Sequence, residues 1–112
     1  MAAKRILLIE DDVKSRYAIQ SVLQDLGHTV HAFANAEEAA LSSAAPIDAA
    51  IIDVRLPQQQ GPDFAINFRN RHPQTRIIFI TAFDNIPQLY LSVPGSVVLV
   101  KPIDIEALKR LL

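Results

Sequence analysis

Residues 49–61 read AAIIDVRLPQQQG, a short apolar run that ends directly in Asp53. Similar apolar runs occupy residues 6–9, 77–80 and 97–100, and such runs are typical of strands buried on both faces of a parallel sheet. A polar residue follows every run: Glu10 and Asp11, then Asp53, then Thr81, then Lys101 with Pro102. Because the carboxyl ends of parallel strands meet at one edge of a sheet, where open α/β folds bind ligands, we expect these side chains to share one crevice.

Helical patterns separate the apolar runs, so the chain reads as strand and helix repeated five times. Predicted strands cover residues 5–9, 29–33, 48–53, 76–80 and 97–100, and predicted helices cover residues 13–26, 35–44, 62–71, 85–92 and 105–112. Asp12, Asn35 and Asp104 are the expected N-caps, and Gly27 is the expected end of the first helix. Alternation of this kind predicts a parallel sheet with right-handed crossovers, and 112 residues fit a single domain spanning 1–112.

Composition narrows the classes of function. The chain has no cysteine, so disulfides and thiolate metal sites are impossible. Its net charge of -1 gives no reason to expect nucleic acid binding by this domain or attraction to an anionic membrane. No apolar stretch is long enough to cross a bilayer. We therefore expect a cytoplasmic setting by default.

Three carboxylates are expected in the crevice, from Glu10, Asp11 and Asp53. Neighbouring carboxylates repel each other, which favours protonation, so at least one of them should have a raised pKa unless a cation offsets the charge. Mg²⁺ suits such a group of oxygens, because it is typically held by one or two carboxylates with water and substrate phosphate. Asp12, by contrast, is interpreted as a helix cap.

The full set of motifs resembles the receiver domain of two-component response regulators, over essentially the whole chain. The matching residues are Glu10 and Asp11, the segment from Asp53 to Gly61, Thr81, and Lys101 with Pro102. The resemblance implies a flavodoxin-like (βα)5 fold, with a five-stranded parallel sheet in the order 2-1-3-4-5 and helices on both faces. It also implies a phosphorylation-dependent signalling switch rather than an enzyme.

The resemblance assigns a role to each acidic residue. Asp53 is implied as the phosphoacceptor, which attacks phosphorus to form an aspartyl phosphate. Asp11 and Asp53 are implied as side-chain ligands of Mg²⁺, with the backbone carbonyl of Arg55 as a further ligand. Glu10 is implied to bind the metal through coordinated water.

The resemblance also implies roles for residues that contact the phosphoryl group or affect its access and lifetime. Lys101 is implied to pair with a phosphoryl oxygen and Thr81 to hydrogen-bond it, while the small Ala82 leaves access to the site. Arg55 and Phe83 match positions that vary in the family and help set the phosphoryl lifetime. The implied phosphoryl source is a sensor histidine kinase, a phosphotransfer protein or a small phosphodonor. The implied reader is a downstream protein target or an output domain.

Two features depart from the family pattern. Family members usually carry Tyr or Phe three residues before the lysine of the Lys-Pro pair, where this chain has Val98. The segment from Thr81 to Lys101 is also about two residues shorter than usual, which shortens the fourth helix. We therefore expect an altered coupling between the phosphorylation site and the surface that partners read.

Alternative functions remain open at the level of sequence. A Mg²⁺-dependent phosphatase of the haloacid dehalogenase class also uses an aspartyl nucleophile, but it needs a second acid two residues later, where this chain has Arg55. A receiver-like interaction module that does not signal through phosphate is the other alternative; the complete set of site residues argues against it, and Val98 leaves it open. A nucleotide or flavin binder is disfavoured because no glycine-rich loop follows the first strand.

Overall fold

The computed structural model describes residues 3–40, 46–56, 60–82 and 93–112. Within these residues the chain forms five strands and four helices. In chain order they are β1 (Arg5–Ile9), α1 (Val13–Asp25), β2 (Thr29–Phe33), α2 (Ala36–Ala40), β3 (Ala49–Asp53), α3 (Gly61–Arg71), β4 (Arg76–Thr81), β5 (Val97–Val100) and α4 (Ile105–Leu111). The helix predicted over residues 85–92 lies outside the described residues, as does Phe83.

The five strands form one parallel sheet in the order β2-β1-β3-β4-β5. This order confirms the predicted flavodoxin-like topology. The strand order reverses at β1, because β2 lies on one side of it and β3, β4 and β5 lie on the other. Open α/β sheets form a crevice at their carboxyl edge at such a switch point. Cα partners near that edge include Ile9 with Ile52 and Thr81 with Val100.

Alternate residues of the central strands point to opposite faces of the sheet, and each face is covered by helices. Leu7 and Ile9 of β1 belong to one core cluster, which α2 and α3 complete with residues such as Phe64. Ile6 and Leu8 belong to the other cluster, together with Ile19 and Leu23 of α1 and Leu108 of α4. The near-continuous apolar runs of β1, β3 and β4 follow from this two-sided burial. The run in β5 does not, because β5 lies at the edge of the sheet and its residues are half-buried or exposed.

The N-caps predicted at Asp12 and Asn35 and the glycine predicted after the first helix are confirmed. The carboxylate of Asp12 accepts the Ser15 amide at 2.8 Å at the start of α1, and this bond lowers the pKa of Asp12. The side chain of Asn35 accepts the Glu38 amide at 2.8 Å before α2. Gly27 follows α1 with a φ of 94°, a conformation that glycine adopts without steric cost.

The element ends that lie in the described residues differ from the prediction by about one residue, and the predicted end of the second helix near residue 44 lies outside them. β3 begins at Ala49 rather than at Asp48, although the Asp48 amide still donates to the Arg5 carbonyl at 2.8 Å and its carboxylate accepts the Arg5 amide at 2.8 Å. β4 extends to Thr81, which pairs with Val100 of β5. None of the described helices is long and apolar enough to span a membrane.

Candidate functional site

The acidic crevice forms between the ends of β1 and β3, which are neighbours in the sheet. Glu10 directly follows β1, and Asp53 is the last residue of β3. Glu10, Asp11 and Asp53 each offer a carboxylate oxygen, and these oxygens lie within 4.8 Å of one another. The strand ends thus bring together three acids that are up to 43 positions apart in the chain.

The three acids differ in burial. The Glu10 side chain is fully buried, at 0 % exposure, and Asp53 is 5 % exposed. Asp11 is exposed. An incoming group therefore meets Asp11 and the outer edge of Asp53, while Glu10 forms the floor of the crevice.

Lys101 lies between the two buried acids. Its Nζ is 2.8 Å from Glu10 Oε2 and 2.9 Å from Asp53 Oδ2. The Lys101 amide also donates to the Thr81 carbonyl at 2.7 Å, which holds the start of the Lys101–Pro102 segment against the end of β4. One cation at the end of β5 therefore bridges acids from two other strands.

The electrostatics of Glu10 follow mainly from its burial. Desolvation raises the pKa of Glu10 from 4.5 to about 7, against the Lys101 ammonium and the Asp12 amide, which stabilise the charged form. The neighbouring Asp53 carboxylate contributes to the rise. The sequence argument predicted a raised pKa from repulsion among the acids; the structure shows the rise, with burial as its largest cause and repulsion as a smaller one.

The ammonium of Lys101 is held in its charged form. Partial burial alone acts to lower the pKa of Lys101, but the carboxylates of Glu10 and Asp53 outweigh that effect, so its pKa lies above the usual value. Lys101 is thus a fixed positive charge beside Asp53 throughout the neutral range.

Asp53 is held from two sides. Its Oδ2 accepts the Lys101 ammonium, and its Oδ1 accepts the backbone amide of Arg55 at 3.0 Å. Arg55 thereby presents its amide to the carboxylate, while its side chain is exposed. These contacts fix the rotamer of Asp53 with both oxygens at the crevice.

Thr81 and Ala82 complete the described rim of the site. Thr81 is buried at 1 % exposure at the end of β4, one position beyond the Asp53 and Ile80 pair in the sheet register. Ala82 is exposed. The placement of both residues at this edge agrees with the sequence argument.

Two residues support the site in ways that the sequence did not predict. The Arg16 guanidinium reaches back from α1 and donates from Nη1 to the Glu10 carbonyl at 2.9 Å. Gly61 packs so closely that a Cβ at its position would collide with the Asp53 carbonyl oxygen. The signals were an arginine six residues after Glu10 and a glycine eight residues after Asp53, but only tertiary contact gives either one meaning.

The residues present fit a hard divalent cation. The cluster offers oxygen atoms alone, from one exposed and two buried carboxylates. Glu10 Oε2 is buried and accepts no well-aligned hydrogen bond from the described residues, although the Lys101 ammonium is close. An oxygen donor set with unused acceptor capacity is what Mg²⁺ or water bound to it requires.

Comparison with known proteins agrees with this geometry. The family model of the response regulator receiver domain matches residues 6–112. The chain belongs to this family. Receiver domains act as signalling switches of two-component systems rather than as classical enzymes, and phosphorylation and Mg²⁺ are typical of them.

Curated relatives of this receiver domain are longer regulators. Response regulator protein PilR of Pseudomonas aeruginosa is 27 % identical over 114 residues, which cover 99 % of this chain and 26 % of PilR. Transcriptional regulatory protein QseB of Haemophilus influenzae is 36 % identical over 86 residues, which cover 75 % of this chain and 38 % of QseB. The chain therefore spans between about a quarter and two fifths of these relatives.

Solved receiver structures share the fold closely. Chemotaxis response regulator CheY4 of Vibrio cholerae superposes with a TM-score of 0.87 at 28 % identity, covering 99 % of this chain and 100 % of that chain. Response regulator TrrA of Thermotoga maritima, solved in complex with Mg(2+)-BeF, gives 0.83 at 26 % identity, with 97 % and 99 % coverage.

Proposed function

We propose that residues 1–112 form a single receiver domain in which Asp53 accepts a phosphoryl group and thereby switches the surface that a partner reads. The observation that carries the proposal is the contact set of Asp53. Its carboxylate lies in a crevice with two further acids, and one of its oxygens contacts a lysine that is held in its charged form. A solvated strand-end aspartate would need none of these neighbours.

The chemistry follows from those contacts. A carboxylate oxygen of Asp53 attacks phosphorus, a P–O bond to Asp53 forms, and the bond from phosphorus to the donor breaks, with its electron pair leaving on the donor atom. Lys101, fixed beside Asp53, faces the negative charge of the transferred group. The Thr81 hydroxyl, on the neighbouring strand end, is proposed to hydrogen-bond a phosphoryl oxygen.

Mg²⁺ is proposed as the cofactor of this site. Asp11 and Asp53 would hold it by their side chains, with the Arg55 carbonyl as a backbone ligand and Glu10 acting through bound water. When bound, it neutralises charge on the phosphoryl oxygens and orients the donor. The complex of the similar TrrA with Mg(2+)-BeF supports Mg²⁺ as the metal.

The proposed phosphoryl source is a sensor histidine kinase or a phosphotransfer protein, and acetyl phosphate is the small donor for tests. The sequence is also similar to a part of Sensor kinase CckA of Brucella abortus, at 31 % identity over 70 % of this chain. The reader is proposed to be a downstream protein or output domain in the cytoplasm, with no nucleic acid or membrane bound by the receiver itself.

A phosphatase of the haloacid dehalogenase class is a weaker candidate. That reading needs an acid two residues after the nucleophile, and the residue there is Arg55, which presents its amide to Asp53. No contact of the described residues favours that alternative.

Intact-mass analysis after incubation with acetyl phosphate tests the proposal. We expect one added phosphoryl group in the presence of Mg²⁺, none in EDTA, and none on Asp53→Asn. Asp48→Asn is the matched control, because it removes an exposed aspartate next to the opposite end of the same strand. Unlabelled wild type with Mg²⁺ present, or a labelled Asp53→Asn variant, would show the proposal to be wrong.

A further inference from the structure

The Glu10 backbone leaves the sheet at the point where the acidic turn begins. Its amide still donates to the Phe33 carbonyl of β2 at 3.0 Å. Its own carbonyl instead accepts Arg16 Nη1 at 2.9 Å. Because Glu10 is fully buried, this carbonyl would otherwise be a buried acceptor without a partner.

The Glu10 carbonyl is joined directly to the amide of Asp11. The carbonyl belongs to the peptide plane that links Glu10 to Asp11, so a rotation of the plane would swing the Asp11 side chain. Asp11 is exposed, and no hydrogen bond of the described residues restrains its carboxylate. The direction of that carboxylate therefore depends on the backbone that carries it.

Arg16 differs from the other groups that hold the acidic turn. Asp12 is held through its amide by Glu10 Oε1 at 3.0 Å, and its carboxylate accepts the Ser15 amide. In those bonds the acceptors are the carboxylates of Glu10 and Asp12. The Arg16 side chain holds the turn as a donor from outside the acidic set, and its own amide donates to the Asp12 carbonyl at 2.9 Å in the first turn of α1.

We infer that Arg16 is a positioning residue of the metal site, which holds the peptide plane between Glu10 and Asp11 so that the Asp11 carboxylate faces Asp53. The inference rests on the proposed function, because it gives Arg16 a role in the same Mg²⁺ site. It acts through the Glu10 carbonyl rather than through charge alone.

Magnesium titration of three unphosphorylated variants tests the inference. The amide chemical shifts of residues 10–12 and 53 report the binding of Mg²⁺. Arg16→Met removes donor and charge at similar length, and we expect its Mg²⁺ affinity to fall by roughly tenfold or more, as for other groups that orient metal ligands. Arg16→Lys, which keeps the charge and a donor, should recover part of that loss. Lys14→Met removes an exposed cation from the same helix turn and should stay within about threefold of wild type.

A metal-free measurement separates this inference from the proposed function. In EDTA, Arg16→Met should speed hydrogen exchange at the Asp12 amide, which donates to Glu10 Oε1, and leave the amides of β3 unchanged. If wild type does not bind Mg²⁺, the proposed function fails, and the metal-free exchange still decides whether Arg16 holds the turn. Wild-type affinity in Arg16→Met, unchanged exchange in that variant, or an equal loss in Lys14→Met would overturn the inference. If Arg16→Met does not fold, Arg16→Lys carries both measurements, with partial weakening expected and wild-type behaviour contradicting the role.

Discussion

Glu10 and Asp53 share one counter-ion: Lys101 Nζ lies 2.8 Å from Glu10 Oε2 and 2.9 Å from Asp53 Oδ2. The two carboxylates come from adjacent strands, and their exposure is 0 % and 5 %. A change in charge at Asp53 therefore also changes the surroundings of Glu10 and of the segment that begins at Lys101. This three-residue contact is the physical basis of the proposed switch.

Replacing Lys101 should weaken the response to phosphorylation. Lys101→Met keeps the length of the side chain but removes the cation that would face the phosphoryl oxygens, so phosphorylation should no longer pull on the end of β5. We expect smaller phosphorylation-dependent changes in amide chemical shift across β4 and β5 than in wild type. Lys109→Met is the control, because Lys109 pairs only at 3.4 Å with the exposed Glu106. Equal shift changes in wild type and Lys101→Met would refute the role.

The stability of the metal-free protein should fall as pH rises from about 5 to 8. Glu10 has a folded pKa of about 7 against 4.5 when unperturbed, so in this window the folded state binds more protons than the unfolded state. The contribution of Glu10 is full below the unfolded pKa and is lost as pH rises through the folded pKa. Its size is at most about 3 to 4 kcal/mol, since one pKa unit corresponds to about 1.4 kcal/mol.

Urea melts in EDTA across that pH range provide the measurement. Glu10→Gln, which cannot titrate, should show a flatter profile than wild type. His72 acts in the opposite direction, because burial and then the Arg71 charge lower its pKa, but it is present in both proteins and cancels in their difference. Parallel profiles for the two proteins would show that Glu10 does not titrate in this window.

Substitution of Gly61 should displace the backbone of the phosphoacceptor Asp53. The Cβ of Gly61→Ala would meet the Asp53 carbonyl oxygen, so either α3 or the end of β3 has to move. We expect a loss of about 1–3 kcal/mol in the free energy of unfolding, the usual cost of overpacking, together with slower labelling by acetyl phosphate. Asn67→Ala, at an exposed position of the same helix, should change stability by no more than about 0.5 kcal/mol. If Gly61→Ala is as stable as wild type, the close approach of Gly61 to the Asp53 carbonyl is contradicted.

Val98 should limit the response of β5. Its side chain is half-buried against the cluster that α2 and α3 complete, and it pairs in register with Phe79. Valine offers no ring that can swing between a buried and an exposed position. We expect phosphorylation to change amide exchange at residues 97–100 only slightly in wild type and more strongly in Val98→Tyr. A large wild-type change confined to a rotamer change at β5 would contradict this expectation.

The apolar runs predicted four of the five strands, and for β1, β3 and β4 the reason is that a strand buried on both faces must be apolar throughout. The crevice followed for the same reason, since Glu10, Asp53, Thr81 and Lys101 stand directly after those runs. The degree of burial of Glu10 could not be read in the same way. It depends on how the ends of β1, β2 and β3 close over one side chain, and burial turned out to be the largest cause of its raised pKa.

The roles of Arg16 and Gly61 could not be predicted from the sequence either. Arg16 matters through a bond to a backbone carbonyl, and any residue type can present a carbonyl. Gly61 matters because it leaves room for the Asp53 backbone, and room is a property of two segments in contact. Pattern and spacing carry neither kind of information, whereas charges at strand ends are visible in the sequence.

The central claim is that Asp53 carries the phosphoryl group, and chemical trapping of the acyl phosphate tests it most directly. Borohydride reduces an aspartyl phosphate to homoserine, which survives digestion and can be located by peptide mass spectrometry. After incubation with acetyl phosphate and Mg²⁺, we expect homoserine at position 53 and none at positions 10, 11 or 12. Homoserine at another acid, or none at position 53 in a protein that has gained a phosphoryl group, would contradict it.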